Sequence, residues 1–174
     1  MGIRHCICAA SLAAIALASA PAAAAPVPAL DNADGRALVL IPLTLTKIDD
    51  LDFGGIIPST SSPGTVTINA ATGVRTFGGG GTGVTSDAGN RAYFGGAGSP
   101  SQQVLVSLSP PVELTSVGGD TIPVLGLTLD GPPMRSIDPV ARTFFVGVGG
   151  TLQIAADQPE GEYSAPFWVT AIYQ

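Results

Sequence analysis

The sequence predicts an all-β protein, and three observations favour that fold class. Its 174 residues include 23 glycines and 15 prolines, which interrupt the chain at short intervals instead of forming one block. Between them lie short runs rich in Val, Ile, Leu, Thr and Phe, separated by turn residues about every 8 to 12 positions, as in β-sandwiches and barrels. After residue 24, no segment of helical length carries a sustained i, i+3, i+4 apolar stripe.

The first 24 residues are predicted to be a secretory signal peptide. Arg4 and His5 precede an apolar stretch from Cys6 to Ala20, and the small-residue run PAAAAP follows it, with cleavage expected near Ala24. The stretch is shorter than the about 20 apolar residues that a membrane span needs. We therefore expect export to the periplasm and then to the cell surface or the medium, with no membrane span in the mature chain.

Residues 25–37 are predicted to form a flexible N-terminal extension, and residues 38–174 a single β-sandwich domain. The segment from Phe77 to Asn90 is predicted to be a loop, because its glycines allow sharp bends and close backbone approach. The predicted strands, in chain order, are ALVLIPLTLTKI, GTVTI, QQVLVSLS, VELTSV, IPVLGLTLD, RTFFVGV, TLQIAA and APFWVTAIY.

The composition excludes several chemistries once the signal peptide is removed. The only cysteines and the only histidine lie in it, so the mature chain has no disulfide, thiol nucleophile or Cys/His zinc site. Arg4 also lies there, so six of the seven basic residues remain against thirteen acids, a net charge of −7. No basic patch can form, so neither nucleic acid nor an anionic membrane is an expected partner. We predict no enzyme activity, no cofactor and no metal.

Two motif-like stretches are interpreted as turns. Gly78 to Gly83 fits the G-x-G-x-x-G spacing of dinucleotide sites, but the residues that follow do not open the helix that such a site requires. The carboxylates of Asp49, Asp50 and Asp52 lack the alternating ligand positions of an EF-hand loop. Asp side chains that hydrogen-bond the backbone of a turn are the preferred interpretation there.

The last predicted strand is apolar on both faces. We predict burial on both sides, with Trp168 in the core, because large apolar groups cost free energy in water. The first predicted strand has the same character, although Pro42 removes one ladder donor and so fits an edge position or a bulge. In the last strand, one face carries Phe167, Val169, Ala171 and Tyr173, and the other carries Pro166, Trp168, Thr170 and Ile172.

Three segments give the chain a resemblance to a known family. They are LDFGGI from Leu51 to Ile56, GTVTI from Gly64 to Ile68, and the stretch from Val146 to Tyr173 with its G-x-Y-x-x-x-F-x-V-x-x-x-Y closure. Together with the signal peptide they resemble exported bacterial proteins catalogued as domain of unknown function 4402, over most of the mature chain. That layout is similar in turn to chaperone–usher pilin subunits of the archaic, spore-coat-U-like class, although this mature chain has no cysteine pair.

The resemblance implies an immunoglobulin-like antiparallel β-sandwich that lacks its last strand. A periplasmic chaperone would complete it first, and the N-terminal extension of another copy or a related subunit would do so in the filament, with an outer-membrane usher as a further partner. The implied function is a structural subunit of a fimbria-like surface fibre, with a role in cell adhesion. The candidate acceptor-groove strand comprises Phe167, Val169, Ala171 and Tyr173, and the candidate donor strand comprises Leu38, Val39, Leu40, Ile41, Leu43 and Leu45.

Two alternatives stay open. The segment from Leu38 to Leu45 fits the first strand of its own subunit as well as it fits a donor. The whole chain also fits a self-contained periplasmic or cell-surface β-sandwich that binds a glycan or a protein. A filament subunit should be unstable or aggregating alone, whereas a self-contained module should unfold cooperatively as a soluble monomer.

Overall fold

The structure of the protein, a computed structural model, describes residues 33–174. Within that range the chain forms strands and turns without a helix, and every strand pairing is antiparallel, so the predicted all-β fold is confirmed. Residues Leu38–Gln174 form one compact unit. The predicted signal peptide and the start of the predicted extension lie outside the described residues.

The strands alternate inward and outward side chains, which is why short apolar runs predicted most of them. They are β1 (Thr44–Asp49), β2 (Ile56–Ile57), β3 (Gly64–Ile68), β4 (Arg75–Gly79), β5 (Thr82–Gly83), β6 (Ala92–Ala97), β7 (Gln103–Ser109), β8 (Glu113–Ser116), β9 (Thr121–Leu129), β10 (Met134–Ser136), β11 (Thr143–Ile154), β12 (Tyr163–Ser164) and β13 (Trp168–Tyr173).

Two sheets make the sandwich. The large sheet has the order β1-β6-β11-β9-β8-β12, and the β3-β4 hairpin joins it through β11. The second sheet has the order β10-β7-β13, and β2 pairs with β5 in a small sheet of their own. Strands β1 and β13 therefore each have a neighbour on one side only.

Strand β11 organises the large sheet because it is long enough to pair with three strands. It pairs with β6 through Thr143–Val148, with β3 through Gly150–Ile154, and with β9 through Val148–Leu152. Because a strand has two edges, β6 and β3 pair one after the other along one edge of β11, and β9 pairs along the opposite edge. The large sheet consequently has two halves, one built around β6 and one around β3.

The prediction of two separate strands in this region is wrong, since RTFFVGV and TLQIAA belong to one strand. Their glycines do not form a turn. A Cβ atom at Gly149 would collide with the carbonyl oxygen of Ile68, and one at Gly147 would lie 2.6 Å from the carbonyl oxygen of Ala70. Glycine is needed here because the turn of the β3-β4 hairpin packs directly on the backbone of β11.

The loop prediction for residues 77–90 is also partly wrong, and β6 was not predicted at all. Strand β4 continues to Gly79, and Thr82–Gly83 forms β5. In β6, Gly95 and Gly96 resemble a turn in sequence, yet a Cβ atom at Gly96 would collide with the ring of Phe144. Glycine is required at Gly96 because of a packing contact that forms only in the folded protein, so local sequence patterns do not reveal this strand.

The apolar interior has two parts. The first, which we call the closed core, lies between the large sheet and the β10-β7-β13 sheet, and several of its valines are completely shielded from solvent. The second, which we call the half-open cluster, lies on the half of the large sheet built around β3. The closed core contains Ala92, Val104, Val106, Ile137, Phe144, Val146 and Val148, and the half-open cluster contains Val66, Ile122, Leu152 and Ile154.

The free edges of β1 and β13 lie on the same side of the sandwich. Arg135 of β10 forms a 2.5 Å ion pair with Asp130, which follows β9, so β10 lies near the β9 side of the large sheet. The hydroxyl of Tyr173, in β13, instead bonds Ser99, after β6, and Ile41, before β1. Strand β13 therefore lies near the β1 side. The first strand lies at an edge of the large sheet, one of the two positions predicted for it, but it begins at Thr44, after Pro42.

The predicted burial of the last strand on both faces is wrong. Trp168 is 62% exposed and Ile172 is 57% exposed, on the outward face, whereas Val169, Ala171 and Tyr173 pack against the closed core. The predicted division of residues between the two faces is correct. The sandwich has only two layers, so the outer face of β13 has no layer above it.

A candidate apolar groove beside the last strand

A groove of about 1170 Å³ opens over the half-open cluster. Its first wall is the segment 51–58, which contains LDFGGI, and its second wall is the segment 158–167, which contains the G-x-Y-x-x-x-F sequence. Its floor is apolar and consists of residues from the large sheet. These floor residues are Leu114, Ile122, Val124, Leu127, Leu152 and Ile154.

The two walls are attached to different parts of the large sheet. In the first wall, the ring of Phe53 lies over Gly150 of β11, 3.4 Å from where a Cβ atom of that glycine would be. The second wall contains β12, which pairs with β8 at the far end of the sheet. Parts of two of the three sequence segments that carry the family resemblance thus border one cavity.

The first wall is held in place by Arg75. Its guanidinium donates to the carbonyl oxygens of Phe53 (2.7 Å), Gly55 (3.1 Å) and Val84 (2.9 Å), and it lies 5.1 Å from the centre of the Phe77 ring. Three carbonyls match the planar fork of donors that arginine provides. Arg75 therefore ties the wall to the hairpin behind it.

A tight turn shapes the same wall and explains its glycine. Gly54 has φ +66°, a conformation that favours glycine, and a Cβ atom there would collide with the carbonyl oxygen of Asp87. The Asp52 carboxylate accepts a hydrogen bond from the Gly54 N–H at 2.8 Å. The predicted role of an Asp side chain in a turn is confirmed for Asp52.

The second wall is stabilised by Tyr163. Its hydroxyl donates to the carbonyl oxygen of Pro159 at 2.7 Å and accepts from the side-chain amide of Gln158 at 3.1 Å. The same amide donates to the carbonyl oxygen of Thr121 at 3.1 Å. These bonds close the turn between Gln158 and Tyr163 and fix it to the start of β9.

Acidic side chains surround the groove on both walls. Lys47 is the one basic residue among the described groove-lining residues, and its Nζ lies 2.6 Å from an Asp50 carboxylate oxygen. The groove is therefore apolar at its floor and negatively charged at its mouth. The lining acids are Asp50, Asp52 and Asp87 on the side of the first wall, and Glu160 and Glu162 in the second wall.

The predicted acceptor residues divide between the groove and the closed core. Phe167 lines the groove, and its ring meets that of Phe94 edge to face at 6.3 Å. Val169, Ala171 and Tyr173 pack against the closed core. The part of the C-terminal region that borders the groove is thus mainly the segment before β13, which sequence reasoning had not selected, although the Gly161 and Tyr163 motif marked it.

The predicted donor segment is divided as well. Leu43 and Leu45 pack against the closed core of their own chain; Leu45 lies in β1 opposite Gly96 of β6, and Leu43 lies just before β1. Before them lie Leu38, Val39, Leu40 and Ile41, outside any strand, with Val39 91% exposed.

A small network of hydrogen bonds, which we call the tyrosine latch, joins the two chain ends. The Ile41 N–H donates to the Ser99 hydroxyl at 2.9 Å, and the Tyr173 hydroxyl donates to the Ile41 carbonyl at 2.9 Å. The Ser99 N–H donates to the Tyr173 hydroxyl at 2.7 Å. The latch marks the point at which the N-terminal segment joins the sandwich.

No group of three or more His, Cys, Asp and Glu side chains that could hold a metal ion occurs in residues 33–174. In the same range, no helix is long and apolar enough to span a membrane. The features that remain as a candidate site are the apolar groove and the free edges of β1 and β13.

Comparison with known proteins adds one finding. Residues 43–173 match the family described as domain of unknown function 4402. No curated protein and no solved structure matches the chain. The matched range begins at Leu43, the first residue of the N-terminal segment that packs into the closed core, and it ends at Tyr173 of the latch.

Proposed function

The chain belongs to the family of domain of unknown function 4402, and we propose that it is an exported structural subunit of a fimbria-like surface fibre. In this proposal the apolar groove accepts an extended strand from another subunit. The observation that carries it is the groove itself, with its apolar floor. The residues that line its walls coincide with the segments that resemble pilin subunits.

The physical argument begins with solvent exposure. Leu114, Val124 and Leu127 of the floor are only partly buried, and an occupant that covers their exposed apolar surface gains roughly 25 cal/mol for each Å². A strand can also gain main-chain hydrogen bonds from an unpaired edge, as in donor-strand complementation. Strand β13, which begins directly after the groove-lining residue Phe167 but does not itself line the groove, has such an edge, because β7 is its only neighbour among the described strands.

A head-to-tail contact of this kind joins two different surfaces and does not close on itself, so it produces filaments. The donor would come from the chain before Ile41, since Leu43 and Leu45 are already used in the closed core. A periplasmic chaperone and an outer-membrane usher are the assembly partners that the pilin resemblance implies. Cell adhesion would be the role of the fibre.

A second candidate function rests on the closed core. Its residues Val104, Val106, Val146 and Val148 are at most 1% exposed without any second chain, as expected of a domain that is stable alone. In that case the protein would be a self-contained periplasmic or cell-surface module. Its function would be to bind a glycan or a protein ligand in the groove, and not to assemble into a fibre.

Peptide capture distinguishes the two functions. We would compare the mature chain with a variant lacking residues 25–40, and add a peptide of residues 26–42 in trans. The fibre proposal predicts that the shortened chain captures a donor-type peptide slowly and that its Tm then rises. A stable monomer that ignores such peptides would contradict it.

Two adjacent residues supply a matched pair of variants for that experiment. Val124 lines the groove, whereas Leu125, the next residue of β9, is 56% exposed on the opposite face. Val124→Asp should abolish capture because it places a charge on the floor, while Leu125→Asp should leave it intact. Thermal unfolding of both variants without peptide shows whether either one has lost its fold.

A further inference from the structure

We infer that the groove selects a basic donor: an extended segment with Lys or Arg beside its apolar residues, supplied by a related subunit and not by another copy of this chain. The inference rests on the proposed function and names the partner class. It is carried by the charge around the groove and by the charge of the chain's own N-terminal segment.

The groove presents negative charge from both walls. Glu160 and Glu162 stand in the second wall and are exposed, and Asp52 and Asp87 are exposed on the side of the first wall. Lys47 is paired with Asp50, so these two charges largely offset each other. An occupant lying between the walls would meet carboxylates on both sides.

One further positive charge lies behind the first wall and does not line the groove. The Arg75 guanidinium points its donors at the carbonyl oxygens of Phe53, Gly55 and Val84. Its charge reduces the negative potential on that side, while the second wall has no comparable basic group among the described groove-lining residues. The negative field is therefore expected to be strongest near Glu160 and Glu162.

The chain's own segment before the sandwich has the wrong charge for this groove. Residues 26–42, PVPALDNADGRALVLIP, contain Asp31 and Asp34 against Arg36, a net charge of −1. Like charges brought together across an interface disfavour a partner, and opposite charges steer and favour one. The apolar groove thus provides affinity for any strand with apolar side chains, and the acids discriminate between strands.

Two peptides that differ only in charge test this. The first is residues 26–42 with blocked ends, and the second is the same peptide with Asp31→Lys and Asp34→Lys, which changes its net charge from −1 to +3. Both are incubated with the mature chain, residues 25–174, and binding is followed by fluorescence anisotropy and by Tm. A peptide of the second composition in scrambled order controls for charge without the apolar spacing.

We expect the basic peptide to bind about tenfold more tightly than the native one at low salt, the combined effect of several exposed charge pairs. The difference should shrink between about 50 and about 500 mM NaCl, because salt screens exposed charges. The variant Glu160→Gln/Glu162→Gln should lose the preference. The variant Glu113→Gln/Asp120→Asn, which removes two acids that do not line the groove, should keep it.

The contrary outcomes separate the inference from the proposed function. Equal or tighter binding of the native peptide would overturn the basic-donor inference and support a fibre of identical subunits. A mature chain that assembles with itself and binds neither peptide would also overturn the basic-donor inference and support a fibre of identical subunits. If the mature chain is monomeric and neither peptide binds or raises its Tm, both the inference and the fibre proposal are overturned.

Discussion

The closed core and the apolar groove are built from the same large sheet but differ in what covers them. Over the half built around β6, the β10-β7-β13 sheet shields the side chains completely, as shown by Val146 and Val148 at 0% exposure. Over the half built around β3, two irregular chain segments stand at the sides and leave about 1170 Å³ between them. The comparison shows that a second sheet covers one half of the large sheet, whereas the other half is covered only in part, although Val66 and Leu152 there are also shielded from solvent.

The largest difference in unfolding free energy is expected between a substitution in the closed core and one at the groove wall. Ile137→Ala, in the closed core, should cost about 3 kcal/mol of unfolding free energy, because it leaves a cavity among packed side chains. Ile56→Ala, at the groove wall, should cost about 1 kcal/mol or less, since the residue is only half-buried. Urea unfolding of both variants measures the difference, and equal losses would break the comparison.

The next largest effect is expected at Arg75, which holds the first wall in place. Arg75→Lys keeps the charge but loses the fork that reaches three carbonyls, so the wall should open with a local cost of about 1 to 2 kcal/mol. Hydrogen exchange of the Val84 N–H, which donates to the Gly55 carbonyl at 2.9 Å, reports this opening. Amides of β7 and β11 should keep their protection. Loss of protection throughout the sandwich would show that the wall is not a separate unit.

A smaller effect is expected at the tyrosine latch, on the closed side. Tyr173→Phe removes one hydroxyl that serves both Ser99 and Ile41, and should cost about 1 to 1.5 kcal/mol. Tyr93→Phe, where the ring stacks on Phe145 on the outer face, is the matched control and should change little. Chemical denaturation compares them. If both variants have the same stability as the native chain, the latch does not contribute to the closed half.

The smallest effect should come from the outer face of the last strand. Trp168→Ser should change the unfolding free energy by no more than about 0.5 kcal/mol, because the indole is 62% exposed. Phe167→Ser, one position earlier, should be clearly more destabilising, since its half-buried ring contacts Phe94. Thermal unfolding of the two variants measures this difference in stability. A large loss for Trp168→Ser alone would mean that the outer face is covered in the native protein.

Much of the fold could be predicted from local patterns. Alternating apolar residues correctly indicated β3, β7, β8 and β9, and the two faces of β13 were assigned correctly. Glycine obscured β6 and the continuity of β11, whereas the short strands β2, β10 and β12 lie outside the predicted apolar runs. In β6 and β11 the glycine pairs resemble turns, yet each lies in a strand because a neighbouring ring or backbone occupies the space of a Cβ atom.

The candidate site was less predictable. Sequence reasoning selected Phe167, Val169, Ala171 and Tyr173 as one acceptor strand; all four pack against the closed core, and of these four only Phe167 also lines the groove. The sequence could not show that the acids of the two walls line one groove, because Asp52 and Glu160 are far apart in the chain and only the folded sheet brings their segments to the same groove. Likewise, nothing local distinguishes Leu45, in its own sandwich, from Val39, in solvent.

The sequence by itself determined that the protein is all-β, because strand alternation and turn chemistry are local properties, and it placed the chain in its family. It also contains the LDFGGI and G-x-Y-x-x-x-F motifs. The tertiary structure alone decided that those motifs border one groove, that Trp168 faces outward, and that the acids surround an apolar floor. The physical reason is that burial and charge juxtaposition depend on which layer covers which half of a sheet. Such coverage is set by long-range strand order, which no short stretch of sequence contains.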